Sequence, residues 1–172
     1  MDLSQKGKLD KVRDLFIIGC YTGLRFSDFI QIKQENIFES NKIKIRTQKT
    51  GETVVIPLHP FIREILAKYD GNIPEPISNQ KMNDYLKDIA KLAGLKELVE
   101  VSITKGGQMV KSTTEKFNLI MTHTARRSFA TNLFMADVPS ITIMKITGHK
   151  TEKNFLRYIR ISQEENANKL LN

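Results

Sequence analysis

The 172-residue sequence predicts an α+β domain that is mainly α, a helical body carrying two small β-hairpins. Three features point there. Apolar residues recur at helical spacing near the start of the chain, and the last third reads as helices punctuated by caps and stops. The period switches to strict alternation in NKIKIRT. Two turn signals, QKTGE and Gly106-Gly107, each lie between segments of strand character. Apolar residues are 40% of the chain and charged residues 27%, so one sizeable core and one domain over 1–172 are expected.

In order along the chain, residues 9–21 (LDKVRDLFIIGCY) are expected to be helical, with Leu15, Ile18 and Cys20 on or near one apolar stripe and Gly23 as the stop. A short helix from about 25 to 32 follows. Ile43 and Ile45 then alternate with Lys42, Lys44 and Arg46, giving a strand with one apolar and one basic face. After the turn that holds Lys49 and Gly51, TVVIPL returns as its hairpin partner. Helices are expected at 60–69 and 79–93, separated by a loop with Pro74 and Pro76, and Gly94 sits where the second would end. Val99, Val101 and Ile103 alternate in a second hairpin at about 98–116. Thr122 or Thr124 is placed to cap a helix reaching Met135. Pro139 opens another that Gly148 ends, and Thr151 caps a third that carries Tyr158.

Lys and Arg outnumber Asp and Glu by 27 to 19, a net charge of +8 that suits a phosphate-rich partner. No apolar run approaches the length of a membrane span, and MDLSQKGKLDK has no signal-peptide core, so no membrane partner and a cytoplasmic location are expected. Cys20 is the single cysteine, which excludes an internal disulfide and reads as a buried thiol. There is no P-loop glycine motif and no carboxylate or Cys/His cluster with metal-ligand spacing, so neither a cofactor nor a metal is expected.

The polar residues at the joints of these elements are Arg25 in TGLRFSD, Lys49 in the hairpin turn, His123 and Arg126 in HTAR, His149 in GH, and Tyr158. Each alone has an ordinary structural explanation. Arg25 is a surface arginine at a helix start, Lys49 a solvated turn lysine, and Tyr158 a half-buried aromatic on an amphipathic helix. His123 and Arg126 share a helix face at i and i+3.

Together and in this order, TGLRFSD, the hairpin lysine, HTARRSFATNL, ITGHK and the following tyrosine closely resemble the tyrosine recombinase (phage integrase) family, from about residue 9 to 160. The stretch ITKGGQMVKSTTEKFNLIMTHTARRS looks like integrases carried by bacterial mobile elements. The resemblance implies a catalytic domain that cuts and rejoins double-stranded DNA through a covalent bond to Tyr158. Cleavage builds negative charge on the non-bridging phosphate oxygens, which planar guanidinium groups can bind in pairs; Arg25 and Arg126 are that clamp. His123 is the base, and Lys49 is by resemblance the general acid for the leaving 5′-oxygen. His149 bonds the phosphate, Asp28 orients from behind, and Lys42, Lys44 and Arg46 track the DNA backbone.

Family members usually carry a helical core-binding domain ahead of the catalytic one. Arg25 lies so near the N-terminus that the sequence is expected to be a truncated form. It would bind DNA more weakly and be a monomer where the full-length protein forms a homo-tetramer on DNA. The tail SQEENANKLLN is a segment for docking on a neighbouring subunit or a free helix end. Two other readings compete. A type IB topoisomerase shares the tyrosyl chemistry but typically has Lys where His123 stands. A non-catalytic helix-turn-helix module over 123–148 would need a polar second helix, whereas SITIMKITG is apolar.

Overall fold

A computed structural model describes residues 3–39, 41–159, 161, 164 and 167, with the backbone alone at 3–6, 103 and 105. Helix α1 (Leu3–Thr22) runs through the centre of the fold and buries Leu9, Val12, Leu15 and Ile18. It begins six residues before the apolar stripe does, because residues 4–8 (SQKGK) hold no apolar side chain and leave no periodic signal in the sequence. Gly23 closes it with φ +65°, a conformation that costs residues with a Cβ. Helix α2 (Phe26–Phe29) is shorter than expected. Beyond it Gln31 N–H bonds the Asp28 carbonyl and Ile32 N–H that of Phe29, so the last turn tightens to three-residue bonds.

After a 3-10 turn at Gln34–Asn36 come strands β1 (Ile37–Phe38), β2 (Lys42–Arg46) and β3 (Thr53–Pro57), in the order β1-β2-β3 and antiparallel throughout. Ile43 faces Ile56 and Ile45 faces Val54, and all four are buried, so the alternation sets the face as expected. β1 has only two residues, too few for any alternation to show. Helices α3 (Pro60–Lys68) and α4 (Asn79–Leu92) follow; the Ser78 hydroxyl caps α4 by accepting Lys81 N–H at 3.3 Å. Strands β4 (Leu98–Lys105) and β5 (Gln108–Glu115) form a ribbon of eight facing pairs around Gly106-Gly107.

A 3-10 turn at Lys116–Leu119 leads into α5 (Thr122–Met135), α6 (Ser140–Thr147) and α7 (Glu152–Ile159). Neither threonine is the N-cap of α5. Met121 holds that place, and Thr124 reaches back to accept its N–H at 3.1 Å. Thr151 does cap α7, accepting Asn154 N–H at 3.3 Å. The core has two parts. One joins α1, the β1–β3 sheet, α3 and α4; the other, around Phe129, Ile143 and Phe155, joins α5, α6 and α7. Cys20 is half-buried, and burial pushes its thiol up to about 12, so it stays protonated and unreactive. No helix among the described residues is long and apolar enough to cross a membrane. The C-terminal tail after Tyr158 lies almost wholly outside the described residues, and with it the docking role considered for SQEENANKLLN.

Candidate active site

The seam between the two parts of the core gathers most of the polar residues singled out above. Arg126 projects from the first turns of α5 and is only 4% exposed. Its Nη1 donates to the Gly23 carbonyl at 2.6 Å and its Nη2 to the Thr147 carbonyl. One guanidinium thus ties the end of α1 to the end of α6. Burial lowers its pKa to about 10, with Arg25 adding to the effect, and it remains a cation at neutral pH.

Arg25 stands at the N-terminus of α2. Its Nη2 and Nη1 pass 3.8 and 3.9 Å from where a Cβ would be built on Gly148, so glycine there leaves open the approach of the guanidinium to α6. Arg25, His123 and Arg126 line one recess, together with Asn79, Asn83 and Thr122. Asn83 Oδ1 accepts Thr122 N–H at 2.9 Å, and Asn79 Oδ1 accepts the Thr122 hydroxyl at 2.9 Å. These two α4 residues, one turn apart, fix the start of α5 and hence the residue that follows Thr122.

Tyr158 comes to the same seam from α7. Its ring lies 5.2 Å from that of His123, edge to face, and 4.7 Å from that of His149. The Arg127 guanidinium sits 5.5 Å from its ring centre, within cation–π range. The Tyr158 hydroxyl is buried without a well-formed hydrogen bond among the described residues. Burial pushes the phenol above its usual pKa, and the positive charges of Arg126, Arg127 and Arg25 pull against that. His123 is held below the usual imidazole range by burial and then by Arg127, Arg126 and Arg25. His149 falls to about 4 by burial, Arg126, Arg25 and His123. At neutral pH the site therefore holds two neutral imidazoles and a protonated phenol among guanidinium cations.

Asp28 is 1% exposed, and its Oδ1 accepts the N–H of Gln48 at 2.9 Å. This bond ties α2 to the hairpin turn directly before Lys49. Lys49 itself is exposed; its neighbours Thr50 and Glu52 share a groove with Gly148 and His149. On the basic strand face, Lys44 is exposed. Lys42 is paired with Glu39 at 2.5 Å, and Arg46 donates through Nε to the Gly51 carbonyl at 3.0 Å.

Asn79, Asn83, Arg127 and Thr147 were not picked out from the sequence. Asparagines in a polar helix and a second arginine after Arg126 carry no signal until α4, α5 and α7 are placed together.

The phage integrase family profile matches residues 1–165 of the chain. Among solved structures, XerH site-specific recombinase bound to palindromic difH substrate, in a post-cleavage complex, aligns with TM-score 0.68 and 17% identity over 99% of this chain and 47% of that one. XerA recombinase aligns with TM-score 0.63 and 15% identity over 99% and 63%. A lambda integrase dimer bound to a COC' core site gives 0.61 and 19% over 92% and 58%. At such identities the likeness is one of fold. The chain spans between 47% and 63% of the length of these three proteins. No curated protein sequence matches it.

Proposed function

The chain belongs to the phage integrase family, the tyrosine recombinases, and from this premise we propose that it cuts and rejoins double-stranded DNA through Tyr158. The observation that carries the reading is the convergence of His123, His149 and Arg127 within 5.5 Å of the Tyr158 ring, beside Arg126 and Arg25.

In the proposed reaction the scissile phosphate lies between Arg25 and Arg126, whose charges meet the negative charge that grows on its non-bridging oxygens. Tyr158 Oη attacks phosphorus and its proton passes to His123, which is neutral and so able to accept it. The P–O5′ bond breaks, and Lys49 protonates the departing oxygen. The products are a 3′-phosphotyrosyl link and a free 5′-hydroxyl. A 5′-hydroxyl from another strand then attacks that link, restores the backbone and returns the tyrosine. Each step exchanges one phosphodiester for another, so the sequence of reactions draws on no ATP.

Asp28 supports this reading by anchoring the turn next to Lys49, through Gln48 N–H. Lys42, Lys44 and Arg46 extend the positive surface along the duplex. The proposal extends to assembly as a homo-tetramer on DNA. The recombinase reading is favoured over a type IB topoisomerase by His123, whose ring stands T-shaped to that of Tyr158.

The test is a nicked suicide duplex incubated with wild type or Tyr158→Phe and run on a denaturing gel. A shifted protein–DNA band with wild type alone is expected. Tight DNA binding with no band in any condition would leave a non-catalytic DNA-binding role instead.

A further inference from the structure

Thr147, the last residue of α6, is 1% exposed and touches two of the groups assigned to the phosphate. Its carbonyl accepts Arg126 Nη2. Its hydroxyl lies 2.8 Å from His149 Nδ1 and 2.9 Å from the Ile143 carbonyl oxygen. That hydroxyl has one proton for two acceptors. When the proton goes to Ile143, Thr147 Oγ1 accepts from Nδ1–H, and a neutral His149 is left with a bare Nε2. When it goes to Nδ1, the ring is the Nε2–H tautomer and can donate from its other side. A phosphate oxygen without its proton can only accept, so a neutral His149 bonds it in the second arrangement alone. Little is lost at Ile143, because its carbonyl stands four residues before Thr147 in α6 and the helix already supplies it with an N–H.

We propose that Thr147 is a positioning residue for the phosphate site: its hydroxyl donates to His149 Nδ1 and thereby presents Nε2–H of the ring to a non-bridging phosphate oxygen of the DNA. The inference rests on the DNA-cleaving reading of the site. His149 is held to about 4 by burial and by Arg126, Arg25 and His123, so at neutral pH its tautomer, not its charge, decides whether it donates. Glu52, Lys145 and Lys150 line the groove on which His149 opens, and none of them takes the place of the buried hydroxyl at Nδ1.

The test joins a tautomer measurement to two substitutions. Long-range proton–nitrogen spectra of the wild-type chain at pH 7 with saturating inorganic phosphate should show His149 protonated at Nε2 and bare at Nδ1. An Nδ1–H ring under those conditions overturns the proposal, whatever the substitutions do. Thr147→Val keeps the side-chain shape and removes the hydroxyl. It should slow single-turnover cleavage of the nicked duplex by about 10- to 100-fold at unchanged DNA affinity, while Thr147→Ser stays near wild type. Wild-type cleavage by a folded Thr147→Val protein overturns the proposal; if that variant does not fold, the wild-type tautomer decides alone. Failure of the underlying reading looks different, because wild type itself then forms no adduct.

Discussion

Gly23→Ala strikes the joint between α1 and α2 and one anchor of Arg126 at once. At φ +65° a Cβ crowds the neighbouring carbonyl, at a cost of about 1–2 kcal/mol. The new Cβ would also stand 2.2, 2.5 and 2.8 Å from Cδ1, Cε1 and Cγ of Phe129. That ring is 7% exposed and held in the second part of the core, so it cannot swing clear without moving its neighbours. Overpacking of this kind costs about 1–3 kcal/mol. The two effects together predict a loss of about 2–5 kcal/mol, a large part of the stability of an ordinary domain. Any backbone shift that relieves the overlap moves the Gly23 carbonyl away from Arg126 Nη1, so the fraction that stays folded should also cleave DNA poorly. Urea unfolding measures the loss, and Phe129→Ala, which removes every ring atom that the new Cβ meets, separates its parts. With a smaller side chain at 129 the overlap goes and the backbone strain remains, so Gly23→Ala should then cost only about 1–2 kcal/mol. The same cost in both backgrounds, or a loss below about 0.5 kcal/mol in the first, would refute the reasoning.

Three other outcomes follow from particular contacts. Asp14 is 2% exposed and accepts from Lys68 Nζ at 2.6 Å, Arg13 Nη2 at 2.8 Å and the Tyr69 hydroxyl at 2.9 Å. Burial raises its pKa, but the bonds from Lys68, Arg13 and Tyr69 outweigh that and leave it below the ordinary carboxylate value. Its contribution is therefore complete above the unfolded pKa of about 4 and drains away as pH falls through the lower folded value. Asp14→Asn should cost about 1–3 kcal/mol at pH 7 and flatten that part of the acid limb in urea titrations; parallel limbs would remove Asp14 from the account. Tyr158→Phe deletes a buried hydroxyl with no well-formed hydrogen bond among the described residues, so unfolding should show unchanged stability or a gain of about 1 kcal/mol. A loss of that size would reveal a bond to the hydroxyl. On the basic strand, Lys44→Ala should lower the slope of log affinity against log salt by about 0.9, and Lys42→Ala by less, because Glu39 already neutralises Lys42. Equal changes would put the Lys42–Glu39 pair out of play on DNA.

The elements that the sequence announces well are those whose signal is local. Alternation at Ile43 and Ile45 set the β2 face, Gly106-Gly107 set the second hairpin, and Thr151 capped α7. Where the signal is thin, the boundaries moved: the polar first turns of α1, the two-residue β1 and the tightened end of α2 have no period to read. The site divides the same way. Arg25, His123, Arg126, His149 and Tyr158 were legible as an ordered set of motifs, and the fold brings them to one seam. Their supports were not legible. Asn79 and Asn83 bond Thr122 across about forty residues, and Thr147 earns its place only once α6 lies against Arg126 and His149. Such partners are set by tertiary packing and leave no spacing rule in the chain.

The most direct measurement of the central claim is the identity of the amino acid joined to DNA. The protein is incubated with the nicked suicide duplex, the adduct is digested with protease and nuclease, and the modified peptide is sequenced by mass spectrometry. The account predicts a nucleotide phosphate on the hydroxyl of Tyr158, within the segment NFLRYIR, and on none of Tyr21, Tyr69 or Tyr85. A phosphate bonded to any other residue, or a protein that binds the duplex and carries no modified peptide, would contradict it.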